Sequence, residues 1–485
     1  MENKPFIHLY RSPNNYYFYD VNKDTLAPIN KEIYNYLNDK IKYDELNSDD
    51  KDYISTLKEE GFLSDNRVSV IRHTMTDCLS ELVKKRCEQM VLQVTQSCNL
   101  ICSYCPYACQ SNNDLQRSHS NKKMTWETAK KAIDLYAENT AGRNNMNISF
   151  YGGEPLIAFD IIKKSVEYAE ELFLGKDLSF NLTTNATLLT DEMIHFFRDH
   201  RFSLCFSLDG PKSIHDINRK RVDNTGSFDA TFSNLKKVAE IYGEELLNKI
   251  ETNTVLNPAN DFDEVLTIFN DEFFKKYPIR HLFSIAYDGY LDKKIEITDD
   301  FYSKYQYLYF KAMLKEFSIV DCLDTPLIDS TVKALRVEYN MLKNGNSPLP
   351  EICSPGGPCI AGMKKIFVDV EENIYPCERT SEVSGCMKIG TLDGNIDIEK
   401  AGKLLNVAQL TAQKCKNCYA LRHCDQCAEK ADDGHDLSAE KRLSNCSKTK
   451  SGFDFFIENC IAIKESRTYY KWREKNEVLD LSMFK

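Results

Sequence analysis

The chain has no stretch approaching the ~18 consecutive apolar residues of a membrane-spanning helix, and its start, Met1-Glu-Asn-Lys-Pro5, lacks the basic and apolar regions of a secretory signal. A soluble, cytoplasmic protein is expected. Lysine and arginine form no block long enough to follow a phosphate backbone, and 62 basic against 73 acidic residues leave a net charge of -11. Nucleic acid and membranes are therefore not expected partners. Low-complexity tracts and internal repeats are also missing, which excludes disordered, collagen-like and coiled-coil architectures. What remains is a 485-residue globular chain, room for about three domains at ~150 residues each.

Cysteine is plentiful, with 18 residues, yet at about 4% it falls short of the density that marks a short secreted disulfide scaffold. In a reducing compartment, thiols at short fixed spacings usually hold zinc or iron and sulfide. The positions therefore matter more than the number.

Residues 1–80 hold no close cysteine pair. Phe6 to Tyr10 and Tyr16 to Tyr19 flank Ser-Pro-Asn-Asn, turn chemistry between two hairpin strands. Ile29, Ile33, Tyr36, Leu37 and Ile41 recur at helical spacing, and Ser48-Asp49-Asp50 opens a second helix that Gly61 stops. A winged-helix-like unit is expected.

From 88 to 320 short apolar runs alternate with amphipathic ones. Strands are predicted at 90–95, 146–151, 178–182, 203–208, 251–255 and 281–286, with helices at 125–139, 159–174, 190–200 and 228–244. This alternation predicts an α/β fold with a parallel sheet, open or barrel-like, and chemistry at the C-terminal strand ends. Residues 321–350 are expected to be a linker region, although 325–343 carries helical periodicity. Residues 351–450 form a cysteine-rich unit held by metal ligation, and 451–485 a terminal helix with Phe453, Phe456, Ile457 and Ile461 on one side.

Directly after the first strand of this series comes Cys98-x3-Cys102-x2-Cys105. Three thiolates are one short of a closed tetrahedral zinc or four-cysteine iron-sulfur site, so a four-iron cluster here keeps one iron open to a chelating ligand. The triplet resembles the hallmark of the radical S-adenosylmethionine (SAM) superfamily, which implies a partial (β/α)6 barrel. The resemblance continues in Tyr151-Gly152-Gly153-Glu154-Pro155, similar to the GGE motif that receives the SAM amino group. It extends to Thr184-Asn185 and Ser207-Leu-Asp209-Gly-Pro, implied contacts to ribose and carboxylate. Arg219 matches an arginine suited to the methionyl carboxylate, with Arg221 close enough to replace it, and Tyr104 holds the aromatic position beside adenine. Singly, Asn185, Ser207, Asp209 and the two glycines would read as turn or cap residues.

Downstream lie Cys353-x5-Cys359-x17-Cys377, Cys415-x2-Cys418-x5-Cys424-x2-Cys427 and Cys446, eight thiols and enough for two more four-iron clusters. The set resembles the SPASM extension of radical SAM peptide-modifying enzymes. That resemblance implies auxiliary cluster I on Cys353, Cys359, Cys377 and Cys427, and auxiliary cluster II on Cys415, Cys418, Cys424 and Cys446, for three [4Fe-4S] clusters in all. Two departures stand out: Glu372 replaces a family glycine, and the last pair is separated by two residues instead of three. Without Cys353, cluster I has an iron open to a substrate thiolate, with Cys386 a substitute ligand. A zinc site using His423 is the competing reading. Cys205 and Cys460 read as buried small hydrophobes; Cys109 is a candidate to face the site.

The amino-terminal module resembles the element that binds a leader peptide by strand addition in peptide-maturing enzymes. Pro5 to Tyr10, Arg117 to Met124, Gly357 to Gly362 and Tyr375-Pro-Cys-Glu378 resemble the maturases of cysteine-rich peptides. The implied reaction joins a peptide cysteine sulfur to a side-chain carbon (ranthipeptides) or an α carbon (sactipeptides), with an external donor such as flavodoxin or ferredoxin supplying electrons. Glu378 occupies the place of an acidic base in the related sulfatase maturases, or is a surface carboxylate. The alternatives are another SPASM modification, such as sulfatase maturation, epimerisation or carbon-carbon crosslinking, and a zinc-stabilised interaction protein without catalysis.

Overall fold

The computed structural model describes residues 4–107, 117, 119–286, 295–317, 319, 325–343 and 348–476; Cys109 and Cys322 lie outside them. The amino-terminal unit contains an antiparallel sheet of β1 (Ile7–Arg11), β2 (Tyr16–Asp20) and β3 (Thr25–Ile29), followed by α1 (Lys31–Leu37) and α2 (Ser48–Glu59). Ile29 belongs to β3 and not to the helix: Asn30 caps α1 by accepting from the Ile33 amide. The second cap is Asn47, one residue before the expected serine. β2 is apolar on both faces because both are covered. Phe18 packs on Ile33, Ile54 and Leu57 within the unit, while Tyr17 and Tyr19 face a core shared with Leu421, Phe453 and Ile457, as a period of two requires.

After β4 (Val70–Ile71) and α3 (Leu79–Lys85) the chain alternates strands and helices: β5 (Met90–Thr95), α4 (Trp126–Asn139), β6 (Asn145–Gly152), α5 (Phe159–Leu172), β7 (Asp177–Thr184), α6 (Asp191–Asp199), β8 (Ser203–Ser207), α7 (Lys212–Asn218), α8 (Phe228–Leu246), β9 (Ile250–Leu256), α9 (Phe262–Leu266), α10 (Glu272–Lys276) and β10 (Arg280–Ile285). Thr125 and Thr190 cap α4 and α6 through their hydroxyls. The six strands β5 to β10 are parallel in sequential order. Even-numbered residues such as Leu92, Phe150, Leu182 and Phe206 enter the core under the helices; odd-numbered Ser149, Asn181, Thr183, Cys205 and Glu251 line the lumen. This is an α/β fold with a parallel, partly barrel-like sheet, as the strand-helix alternation predicts.

α11 (Asp299–Glu316) and α12 (Pro326–Lys343) pack together, and Leu327, Ile328 and Leu335 share a core with Leu308 and Ile463. Residues 326–343 are therefore a packed helix and not a linker, because the apolar stripe of α12 finds partners. The carboxy-terminal part comprises β11 (Ile352–Cys353), β12 (Ile366–Val368), β13 (Asn373–Tyr375), β14 (Gly390–Thr391), β15 (Asn395–Ile396), α13 (Ile398–Leu405), α14 (Ala412–Cys415), α15 (Ala439–Ser444) and α16 (Cys446–Asn476). β12 pairs parallel to β5, and β13, β14 and β15 follow antiparallel, so this part covers an edge of the barrel sheet and extends it to ten strands. No helix among the described residues is long and apolar enough to cross a membrane.

Candidate functional site

A cavity of about 200 Å³ opens at the C-terminal ends of the parallel strands, lined by Cys98, Cys102, Cys105, Tyr104, Gly152, Gly153, Glu154, Asn185, Ser207 and Arg219. Five loops deliver these groups to one place, where open α/β sheets bind ligands. Burial pushes the Cys98 and Cys102 thiols up to about 12, so their thiolates need a compensating cation or metal. Two compensations are built in: the Leu100 amide donates to Cys98 Sγ at 3.4 Å, and Arg219 Nη1 lies 4.0 Å from Cys102 Sγ.

The two glycines are required by the neighbouring chain as much as by any ligand. Gly152 adopts φ +146°, and a Cβ there would sit 2.0 Å from the Thr95 carbonyl oxygen; at Gly153 it would sit 2.2 Å from that of Ser97. The freed space lets the Gly153 and Glu154 amides donate to Thr95 and Ser97 at 2.9 Å, stitching the end of β6 to the cysteine loop. Glu154 is buried and accepts from Thr184 Oγ1 at 2.7 Å, the Asn185 amide at 2.8 Å and the Leu156 amide at 3.1 Å. Burial pushes its carboxyl up to about 7 although these donors pull it down.

Asp209 does not line the cavity. It is fully buried and accepts from Arg219 Nε at 3.0 Å and from the Tyr104 hydroxyl, orienting a cationic and an aromatic wall. The Arg219 guanidinium lies 5.4 Å from the centre of the Tyr104 ring. Arg221 points elsewhere, donating to the Gly226 carbonyl at 3.4 Å, so Arg219 is the arginine of this cavity. The sequence reading did not single out Tyr107, His119 or Asn253, which also line it. His119 Nε2 stands 3.9 Å from Cys105 Sγ. The buried Arg117 pairs with Glu382 and Tyr107 and donates to the Glu378 carbonyl at 2.8 Å.

A polar lumen cavity of about 400 Å³ shares Tyr151 and Thr183 with the first. Glu378 lies here, beside its sequence neighbour Cys377, and is bound through both oxygens to Lys365 Nζ at 3.0 and 2.9 Å. Cys205 lies on the same wall and is half-buried, not in the apolar core.

Cys415, Cys418, Cys424 and Cys446 line a third cavity, of about 430 Å³. Arg442 lines it too and is 1% exposed, and among the described residues no carboxylate pairs with it; it donates to Thr411 and Gln426 instead. A buried guanidinium without a counter-ion is costly, and the four thiols beside it would supply the missing charge once ionised. Cys359, Cys377 and Cys427 are electrostatic neighbours in sequence-distant loops. Cys353 differs: it lies in β11, in an apolar core, with Arg422 as its charged neighbour. Cys386 sits beside Ser384 and Asp432. His423 is engaged by Asp24 of the amino-terminal unit at 2.7 Å. Among the described residues no three donors converge as closely as a single metal ion requires.

Residues 92–271 match the Radical SAM superfamily, the class that the strand order and the cysteine loop define. More particularly, the chain is 22% identical over 385 residues to the cysteine-type anaerobic sulfatase-maturating enzyme of Clostridium perfringens, covering 77% of this chain and 97% of that one. It is 23% identical over 441 residues to the radical SAM cyclopropyl synthase TigE of Paramaledivibacter caminithermalis, covering 82% and 83%. Native anSMEcpe with bound AdoMet and Kp18Cys peptide superposes with a TM-score of 0.54 at 18% identity, over 77% of this chain and 99% of that one, a likeness of fold. The chain thus contains a radical SAM domain with homology to anaerobic sulfatase-maturating enzymes.

Proposed function

We propose that the protein is a radical SAM enzyme that oxidatively modifies a residue of a peptide or protein. The observation that carries this reading is the shared wall of Tyr151 and Thr183 between the cysteine-lined cavity and the polar lumen. In this reading Cys98, Cys102 and Cys105 hold a four-iron cluster, Cys415, Cys418, Cys424 and Cys446 hold auxiliary cluster II, and Cys359, Cys377 and Cys427 hold auxiliary cluster I with Cys353 as its fourth ligand or an open iron. Bound there, the cluster and SAM supply a 5′-deoxyadenosyl radical able to take hydrogen from an unactivated carbon. The chain's own groups do the rest. Glu154 accepts the ligand ammonium, Arg219 the carboxylate, Tyr104 flanks the adenine, and Asn185 and Ser207 meet the ribose. Gly152 and Gly153 keep the cysteine loop closed against β6, and Glu378, held by Lys365, stands in the lumen as the proton acceptor for the substrate residue.

The relatives favour an oxidation of the sulfatase-maturation type, or another peptide modification of this class, over thioether formation. Thioether formation is the second reading. It is supported by the three-stranded amino-terminal unit, whose β3 is an edge strand suited to pairing with a leader peptide, and by the seat of Cys353 in an apolar core, which, without Cys353 as a ligand, would leave cluster I an iron for a substrate sulfur.

An anaerobic count of iron, sulfide and zinc tests the frame: about twelve iron per chain is expected for three clusters, and zinc in place of iron would overturn it. Incubation with a cysteine-containing peptide then separates the reactions. A thioether removes two hydrogens, blocks one thiol and joins two fragments in tandem mass spectrometry; side-chain oxidation joins none.

Glu154 makes SAM affinity pH-dependent. Its folded value, about 7, lies above the ordinary carboxylate range, so the empty site favours the protonated form. That stabilisation is full below the ordinary range and is lost as pH rises through 7. A bound ammonium needs the carboxylate, so affinity should fall about tenfold per unit below pH 7. Titration calorimetry should show this slope, and Glu154→Gln should bind more weakly and flatten it.

A further inference from the structure

We propose that Asn253 is a further SAM-binding residue, whose side-chain amide donates to the methionyl carboxylate beside Arg219. This rests on the reading of the cysteine-lined cavity as a SAM site. Strand pairing sets the position. Thr183, Cys205 and Glu251 stand side by side on β7, β8 and β9 and line the lumen. Two residues further along the chain in each case, on the same face of the sheet, come Asn185, Ser207 and Asn253, and all three line the cysteine cavity. The first two belong to local motifs; the third completes the row without one.

Hydrogen-bond capacity separates the members of the row. The Asn185 carbonyl oxygen is taken by the Thr187 amide at 3.0 Å and hydroxyl at 2.7 Å, and one of its N–H groups by Asn99 at 3.0 Å. Asn253 is held on its acceptor side: the Ser284 hydroxyl donates to Oδ1 at 3.4 Å. Both N–H groups of its Nδ2 are without a partner among the described residues, on a residue that lines the cavity. Free donors suit an oxygen ligand, and Arg219 indicates which one. Asp209 accepts from the Val255 amide at 3.1 Å through one oxygen and from Arg219 Nε at 3.0 Å through the other, and Asn257 donates to Asn218 Oδ1 at 3.0 Å. These bonds fasten the arginine to the end of β9, the strand that carries Asn253. The two carboxylates near this strand are already engaged: Asp209 by Arg219, and Glu251, one row below, by Arg280 at 3.6 Å. With Asp209 balancing the guanidinium, a neutral second donor strengthens the hold on a carboxylate through a charge-assisted bond, about twice as strong as a neutral one.

The test compares SAM with decarboxylated SAM, which lacks only the carboxylate, by anaerobic equilibrium dialysis against the full-length, iron-loaded protein. Wild type should bind SAM the more tightly, and Asn253→Ala should cut that preference about tenfold by weakening SAM and sparing the decarboxylated compound. Asn253→Asp, of the same shape, should cut it further, because it sets like charges side by side. A general loosening of the fold weakens both ligands alike and leaves their ratio unchanged, as Ser207→Ala should through the ribose that both share. An unchanged ratio in Asn253→Ala and Asn253→Asp would therefore overturn the assignment, whether or not the two affinities fall together. So would intact SAM binding with weakened binding of a substrate peptide, because the amide would then serve the substrate. A wild-type chain that binds neither compound would instead overturn the reading underneath, a result that the wild-type measurement alone keeps distinct.

Discussion

Replacing Cys98, Cys102 and Cys105 together with alanine should remove about four iron per chain and lower SAM cleavage by more than about a thousandfold, below the detection limit of a 5′-deoxyadenosine assay. The three thiols are the cysteine sulfurs that line this cavity, and alanine offers no substitute donor. His119 and Glu154 do not make up the loss: His119 offers a single ring nitrogen, the other being bonded to the Gln96 carbonyl at 2.9 Å, and Glu154 is a hard oxygen donor already shared with Thr184, Asn185 and Leu156, so three soft thiolates go unreplaced. The fold should survive, because the loop is also held by the Gly153 and Glu154 amides and by the pairing of Leu100 with Arg221. Circular dichroism should therefore match wild type while the iron count drops. A triple variant that keeps its full iron and cleaves SAM would sink the assignment.

The second large effect is expected at Arg117. This residue is 3% exposed, and its fork meets both oxygens of Glu382, the Tyr107 hydroxyl and the Glu378 carbonyl. Glu382 also accepts from Gln93 at 2.6 Å and from Tyr107 at 3.0 Å. Arg117→Ala leaves a buried carboxylate without its cation, a loss of ~3–5 kcal/mol. At ~1 °C per kcal/mol for a chain of this length the unfolding midpoint should fall by about 3–5 °C. Arg117→Lys should rescue little, because an ammonium cannot satisfy four acceptors in one plane. Arg117→Ala combined with Glu382→Ala should cost less than the sum of the two, because the orphaned charge is gone. Additive losses would show that the pair is not coupled. The network joins the chain beyond Cys105 to the chain beyond Cys377, so its loss should also reduce activity in whatever protein remains folded.

The barrel was legible in the sequence because each of its strands is a distinct apolar run and the helices α4 and α6 carry their own caps. Thr125 and Thr190 stand where the hydroxyl caps form. β3 was not legible: Pro28 and Ile29 precede a helix start, and Ile29 fits a helical spacing as well as a strand. The strands β12 to β15 have two or three residues each, too short for any period, and exist because β5 offers an edge to pair with. In the site, the cysteines and the Gly-Gly-Glu run were visible as local patterns. The role of Asp209 was not, because being behind Arg219 and being beside a ligand look alike in a one-dimensional motif. Nothing local announces the pairing of Arg117 with Glu382, 265 residues away.

The amino-terminal sheet is fastened to the loop that carries Cys415, Cys418 and Cys424. His8 stacks on Tyr419 at 3.8 Å, Arg422 donates to the Val21 and Asn22 carbonyls, and His423 meets Asp24 across 399 residues of chain. At a synthesis rate of ~5–20 residues per second, about 20–80 s separate the emergence of these partners from the ribosome. During that interval Tyr17, Tyr19 and Val21 present an uncovered apolar face. The newborn chain is thus exposed to aggregation at this sheet until a segment 399 residues further along has been made to cover it.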